Sequence, residues 1–497
     1  MLEGSNFWRA CHICPSRGLA ARPPEERWRT GIAASATLRR LPLSSPTGYL
    51  VPWTRPGPRT VSGHPSMRIH VAGLGAVGSF VAFHLRRTLH PKHAVFALHR
   101  RETAPTVSQI ANGRPTLLES DGVVQSQDGI EHVTYSLPRE RPHNDLNANL
   151  DPLGQPPGDY QVALDRHHDP HELPRVYGGI ESLVITTKAY AVPRVIAGLR
   201  DHLSRNSTIV LLHNGMGMYE KLVDSFFPDP YDRPNFVLAT NTHGLWRKDV
   251  MHSVQAAFGE IQLGIVPDPH GRDYEASLRN SRNVPSWQPL SLDDIANISV
   301  VDGVSPRYLT LRNTISALTS ARALGATWRP YYDVQTAMRR KLVVNCYVNP
   351  LSALLQCKNG DIMRAGPSYW ILEHLCKEAE RVFRAQLEAE VEDMRQAYHG
   401  LPEEERVTKR PPQLPPFPRA LSYVSLSKEV KRVVELTQDN YSSMYWDMKL
   451  GQPTEIKYLN GYLLKLAQKY GVKSSVNDTL YGLTQMRTAI PFVGKPS

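Results

Sequence analysis

Cysteine is scarce in this chain, with five in 497 residues, at positions 11, 14, 346, 357 and 376. An odd, scattered set argues against a disulfide framework and fits a reducing compartment. Cys11 and Cys14 form C-x-x-C, yet no second pair stands at zinc-ribbon spacing and no βαβ pattern surrounds them, so no metal site is expected. Uninterrupted apolar runs are also missing. None approaches the roughly 18 residues of a membrane-spanning helix, so no span is expected. Nor is there a basic run interleaved with aromatics of the kind nucleic-acid grooves use, and no nucleic-acid partner is expected. The formal charge of +11 does not revive one, because it is unevenly spread. Residues 1–66 hold nine arginines against three glutamates, with no lysine, which leaves only +5 on the other 431 residues.

That leader is rich in Arg, Ser, Ala and Pro, and resembles a mitochondrial transit peptide. An upstream extension of the reading frame, with a cytoplasmic protein beginning at Met67, is the alternative. The remainder has the composition of a globular protein, 41% hydrophobic and 21% charged over the whole chain. It is long enough for two or three domains.

The most informative stretch is Met67 to Arg87, MRIHVAGLGAVGSFVAFHLRR. An apolar strand runs into Gly73, Gly75 and Gly78 at G-x-G-x-x-G spacing, and an apolar helix follows. In such a strand–turn–helix, the first glycine allows a sharp turn and the second lets a pyrophosphate approach bare backbone. The third lets the helix pack close to its strand. Helix N-terminal amides then face the phosphates. The expected cofactor loop is therefore Gly73, Leu74, Gly75, Ala76, Val77 and Gly78.

The second strand is expected at Ala94–Leu98. An NAD enzyme usually carries a carboxylate near this strand's end to hold the ribose hydroxyls. Here His99, Arg100 and Arg101 stand there, and Arg100 suits a 2′-phosphate. NADP(H) is the expected cofactor; a solvated basic turn, with Glu102 beside it, is the alternative.

Short strands are expected between Ile110 and Tyr135. Residues 137–179 then turn dense in Pro, Asp, Asn and His and read as a loosely packed insertion, with His167, His168 and His171 solvated. Structure resumes with strands at 181–187 and 207–213 around a helical stretch, Ala191–Leu203. Buried strand, helix, buried strand is a parallel-sheet pattern. Ligands of such sheets bind at the carboxyl ends of strands, where Lys188 and Asn214 fall. Strands at 236–240, 254–258 and 260–263 are expected to close that sheet. A polar interruption follows at 267–300, then a helix within 301–324 that Gly325 ends.

From 326 to 490 the pattern is helical, interrupted by a proline-rich insertion at 401–419. Within it, Lys341, Asn345 and Asn349 recur at intervals of four, which on a helix lines them along one face about 6 Å apart. Leu342, Val343 and Val348 are expected to bury neighbouring faces. Such polar groups among apolar neighbours need partners, which either a polar substrate or nearby backbone supplies. Further on, Thr454 reads as a helix cap, Ile456, Leu459, Leu463 and Leu466 as the core face of its helix, and Glu455 as a first-turn acid.

Five motifs occur in one order: G-x-G-x-x-G, T-T-K-A-Y at 186–190, H-N-G-M-G at 213–217, K-L-V-V-N-C-Y-V-N-P-L-S-A-L at 341–354, and S-S-M-Y-W-D with T-E-I-K-Y-L-N-G at 442–461. In wording and order they resemble the ketopantoate reductase family. The resemblance implies an α/β architecture: a Rossmann-type dinucleotide-binding domain at 67–325, then an all-α substrate domain at 326–490. It implies NADPH-dependent reduction of 2-dehydropantoate to (R)-pantoate, toward pantothenate and coenzyme A, by a monomer or homodimer. It assigns Lys341 as the catalytic lysine, Asn345, Asn349, Ser443 and Glu455 as substrate-binding residues, and Lys188 and Asn214 as residues near the nicotinamide. The chain departs from the family in having Met338-Arg339-Arg340 where a tryptophan often precedes the lysine, and in longer insertions. Reduction of another branched 2-oxo acid, or a non-catalytic mitochondrial RNA-associated factor on the same fold, are the rival readings.

Overall fold

The structure is a computed structural model that describes residues 66–101, 116–137, 173–279, 290–297, 305–408, 414 and 416–490. The leader, the Cys11/Cys14 pair, the three histidines at 167, 168 and 171 and most of the 137–179 insertion lie outside those residues.

Seven strands that fall within the expected runs, joined by a short strand at the start of the region read as helical, form one eight-stranded sheet. Its members are β1 (Arg68–Ala72), β2 (Ala94–Arg100), β5 (Glu131–Tyr135), β6 (Ser182–Ile185), β7 (Thr208–Leu211), β8 (Asn235–Asn241), β11 (Ile261–Ile265) and β12 (Ala326–Trp328). Their order is β12-β11-β8-β7-β6-β1-β2-β5, and every pairing is parallel except that of β8 with β11. The chain leaves β1 toward β2 on one side and returns to β6 on the other. Loops at the carboxyl ends of β1 and β6 therefore diverge and leave a crevice between them.

Alternation within these strands divides the core. Val71, Val184 and Val210 face helices α1 (Ala76–Thr88) and α4 (Pro306–Ser320), where Phe80 and Ile315 meet them. Leu183, Ile185 and Ile209 face α2 (Val192–Leu199) and α3 (Met218–Phe226), through Ile196 and Leu222. A sheet covered on both faces explains why these strands read as apolar runs rather than as alternation.

Residues 254–258 do not close this sheet. They belong to β10 (His252–Ala257) of a separate four-stranded sheet ordered β4-β3-β10-β9, with β3 at Thr116–Ser120, β4 at Val123–Gln127 and β9 at Gly244–Asp249. Strand β9, L-W-R-K-D after its glycine, is an edge strand with four exposed residues, so it lacks the apolar pattern that marks a strand. The described part of 267–300, expected as a polar interruption, also contributes to the core. Tyr274, Leu290 and Ile295 are buried in the core, and Tyr331 donates its backbone N–H to Glu275 at 2.8 Å.

The helical half is built around α5 (Tyr331–Leu355), 25 residues long, with Leu342, Val343, Cys346 and Tyr347 all buried. Around it lie α6 (Gly366–His399), α7 (Tyr423–Leu436), α8 (Ser443–Lys449), α9 (Asn460–Lys469) and α10 (Ser475–Ala489). Thr454 does not cap a helix. Glu455 itself precedes a short 3₁₀ turn, Ile456–Tyr458, and α9 begins only at Asn460. The expected core residues Ile456, Leu459, Leu463 and Leu466 are nonetheless buried.

The glycines near the crevice separate two roles. A Cβ on Gly78 would collide with the Gly73 carbonyl oxygen and stand 2.5 Å from the Thr186 hydroxyl, whereas one on Gly75 meets nothing within 4 Å. Gly78→Ala is expected to lower stability by about 2 kcal/mol, as overpacking does. Gly75→Ala is expected to leave the thermal midpoint unchanged. Equal loss in both variants, measured by thermal unfolding, would contradict this division.

Candidate functional site

The loops that end β1, β6, β7 and β8 meet α5 near its middle, at Lys341, around a cavity of about 560 Å³. Its walls include Gly73, Leu74, Gly75, Ala76 and Val77 from the first loop, and Thr187 and Lys188 from the second. His213, Asn214, Asn241, Arg247, Lys341 and Glu455 complete the polar lining.

The glycine loop has the shape its spacing predicts. Gly73 sits at φ +94°, where a side chain is strained, and a Cβ there would stand 2.5 Å from the Thr187 backbone nitrogen. The open space beside Gly75 is where a ligand can lie against bare backbone. No side chain caps α1, so its first-turn amides point toward the cavity end of the helix. These residues fit a dinucleotide diphosphate.

Lys341 reaches the cavity from α5. Its Nζ donates to Asn214 Oδ1 at 2.9 Å and to the Asn241 carbonyl oxygen at 2.7 Å. Both acceptors are neutral. Burial lowers the lysine pKa to about 8, with Glu455 acting in the opposite direction. Lys188 has different company: its Nζ lies 2.8 Å from Asp447 Oδ2 and 3.6 Å from Glu455 Oε2. Burial acts to lower its pKa as well, but Glu455 and Asp447 hold it above the usual lysine value. Glu455 is fixed from a third side, accepting the Ala189 backbone N–H at 2.9 Å. His213 donates through Nδ1 to the Asn214 carbonyl oxygen at 2.9 Å, and burial lowers its pKa, so the ring is neutral. Its Nε2 has no partner among the described residues.

A second cavity, about 300 Å³, shares Gly73, Leu74, Thr187, Tyr190 and Ala191 with the first and extends over the end of β2. Arg100 and Arg194 line it, and no carboxylate does among the described residues. His99 lines it too, hydrogen-bonded to His132 at 2.9 Å; burial lowers its pKa to about 3 and leaves it uncharged. The arginines therefore set the sign of this cavity.

The residues singled out from sequence do not all converge. Lys341, Lys188, Asn214, Glu455 and the glycine loop share one cavity, and Arg100 lines its neighbour. Asn345 and Asn349, one and two turns beyond Lys341 on α5, are outside both linings, as is Ser443 in the first turn of α8. Asn349 is buried and Ser443 exposed. Ser442 beside it is inward instead, bonded to Ser352 at 2.7 Å and capping α8. Sequence reasoning gave no role to Asp447, Asn241 or Arg247. Asp447 sits within the S-S-M-Y-W-D motif, but no spacing rule links it to Lys188, 259 positions away. Among the described residues, no group of three His, Cys, Asp or Glu is arranged to hold a metal ion. No helix there is long and apolar enough to cross a membrane.

Comparison with known proteins gives concordant results. A model described as ketopantoate reductase PanE/ApbA matches residues 138–268, and one for the C-terminal part of the same family matches 333–488. The chain is 26% identical to 2-dehydropantoate 2-reductase of Vibrio cholerae, over 84% of this chain and 96% of that protein. Its identity to the Saccharomyces cerevisiae 2-dehydropantoate 2-reductase is 25%, over 63% and 74% of the two chains. Among solved structures, a PanE/ApbA family ketopantoate reductase from Ralstonia eutropha superposes with a TM-score of 0.53 at 15% identity, covering 85% of this chain and 99% of that one. A D-mandelate dehydrogenase solved with NADH and anilino(oxo)acetate gives 0.54 at 16%, with the same coverage. At these identities the two structures establish the fold alone.

The contrast between the two lysines is directly measurable. An ¹⁵N NMR titration of the Lys341 ammonium is expected to show a midpoint near pH 8. Glu455→Gln removes the carboxylate that favours the charged form, so the midpoint moves to lower pH. An unmoved midpoint would show that Glu455 does not act on Lys341.

Proposed function

Because the chain belongs to the ketopantoate reductase family, we propose that it is a reductase using NADPH to convert 2-dehydropantoate to (R)-pantoate, a step toward pantothenate and coenzyme A. The observation that carries this reading is Lys341, held by two neutral acceptors in a cavity shared with a dinucleotide-type glycine loop.

When bound, the nicotinamide supplies a hydride to C2 of the 2-oxo acid. The chain's residues manage the charge that this creates. An ammonium has three N–H groups, and Lys341 spends two on Asn214 and Asn241. The third is available to the substrate carbonyl oxygen, and with a pKa near 8 the group can stabilise the developing oxyanion and then pass it the proton. Asn214 fixes Nζ from the β7 end, so the donor is aimed before substrate arrives. Asn345, Asn349, Ser443 and Glu455 are proposed to hold the substrate's carboxylate and hydroxyl. Those of them outside the cavity lining would reach it as the helical half closes on the crevice.

The preference for NADPH rests on the second cavity, where Arg100 and Arg194 supply positive charge and no described carboxylate competes for ribose hydroxyls. A mitochondrial location is proposed from the acid-poor, arginine-rich leader alone.

The test is a spectrophotometric assay of NADPH oxidation by the full chain with 2-dehydropantoate, beside NADH and other 2-oxo acids. Selective turnover of 2-dehydropantoate is expected. Reduction of a different 2-oxo acid in its place would move the substrate assignment, and failure to bind either dinucleotide would overturn the enzymatic reading. Lys341→Ala is expected to lower kcat at least about a hundredfold, the lower end for loss of a general acid, with NADPH affinity nearly intact. An equal loss of affinity would contradict the acid role. Arg100→Ala is expected to weaken NADPH about tenfold or more while NADH changes little, as loss of a charged hydrogen bond would; parallel effects on both would remove the basis for NADPH.

A further inference from the structure

Arg247 has no role in the reaction described so far, yet its position is specific. It lies on β9, the edge of the four-stranded sheet, and lines the same cavity as Gly73 to Val77 and Lys341. Strand register explains how an element outside the eight-stranded sheet reaches that cavity. Arg247 pairs directly with Ser253 on the antiparallel β10, and directly opposed residues project from the same face of a sheet. The Ser253 hydroxyl donates to the Ala76 carbonyl oxygen at 2.8 Å, and Ala76 is the first residue of α1. Leu118, the β3 neighbour of Ser253, is buried in the core cluster that contains Phe80 of the same helix. The face carrying Leu118, Ser253 and Arg247 is thus the one turned toward the start of α1.

The neighbouring basic residue behaves differently. Lys248 is on the opposite face and is neutralised by Glu119 at 2.7 Å. The Arg247 side chain makes no hydrogen bond or ion pair with the described residues. A long guanidinium beside uncapped helix amides, with no acid assigned to it, is matched to an anion that backbone amides alone contact from the other side.

We propose that Arg247 is a cofactor-binding residue that grips the diphosphate of the dinucleotide from the side opposite the glycine loop. This rests on reading the cavity as a nicotinamide-dinucleotide site, and it is independent of whether NADPH or NADH is preferred. The four-stranded sheet then has a task, which is to carry one cation to a phosphate site whose glycine loop brings no charge of its own.

Binding of NADPH and of ADP-ribose, which keeps the diphosphate but lacks the nicotinamide, is measured by titration calorimetry on the full chain. Arg247→Gln is expected to weaken both by about tenfold, the lower range for loss of one charged hydrogen bond. Arg247→Lys should recover part of the affinity, and Lys248→Ala should change it less than twofold. Thermal unfolding of all variants should match the parent, since Arg247 is exposed. Unchanged affinity for both ligands in Arg247→Gln overturns the proposal. If in addition KM for the 2-oxo acid rises, the guanidinium holds the substrate carboxylate instead. If the parent protein binds neither ligand nor NADH, the cofactor-site reading itself fails, which is a different result from equal binding by parent and variant.

Discussion

A lysine ammonium enclosed by neutral acceptors is the constraint on which the rest of this site depends. Lys341 is removed from water without a carboxylate in direct contact, and its two acceptors belong to the ends of different strands, β7 and β8. Keeping the proton there is less favourable than in the unfolded chain, where a lysine titrates near 10.5, by roughly 3 kcal/mol. The sign follows from the lowered pKa. Between about pH 8 and 10.5 the unfolded chain binds more proton than the folded one, so this group makes the fold more stable as pH rises through that window and less stable below it. The fold tolerates that burden at neutral pH, and burial poises a strong donor for proton transfer near pH 8.

The second lysine shows that the arrangement is selective. Lys188 is only partly buried, and two carboxylates stand against it and keep it charged. Two lysines in one cavity are thereby pushed in opposite directions, one toward titration near neutrality and one away from it. Separation of this kind assigns roles: the poised group can move a proton, while the paired group can only supply fixed charge. Glu455 takes part in both. It lies in direct contact with Lys188 and acts on Lys341 only through space, which leaves the Lys341 proton available.

Much of this was legible in the sequence where short-range physics decides it. Glycine spacing gave the loop, because Gly73 needs its positive φ and Gly78 its missing Cβ. Apolar runs gave the parallel strands, because both faces of that sheet are covered. The four-residue interval put Lys341 on a helix with buried flanks at Leu342 and Val343. What escaped was decided by tertiary partners. Strand β9 is exposed and reads as polar loop, so both it and Arg247 were passed over. Thr454 has a good N-cap side chain, but the carboxylate that follows is drawn to Ala189 and Lys188, and the chain makes a 3₁₀ turn where a helix start was expected. The same helical interval that grouped Lys341 with Asn345 and Asn349 ignored the cavity's depth, which ends within one turn of the lysine.

Lys188 and Ala189 belong to the loop after β6, whereas Asp447 and Glu455 arrive from α8 and the turn after it, more than 250 positions later. The sheet region contributes Lys188 and the Ala189 backbone donor, and the helical region contributes the carboxylates that hold them, together with Lys341 itself. With α8 and the turn away, Lys188 would lose both partners and Lys341 the one charge that favours its protonated form. The charge state of the cavity is therefore a property of the packed pair of regions. A motion that drew Glu455 away would change the proton affinity of Lys341, so the packing of this turn and the acidity of the lysine are coupled through Glu455.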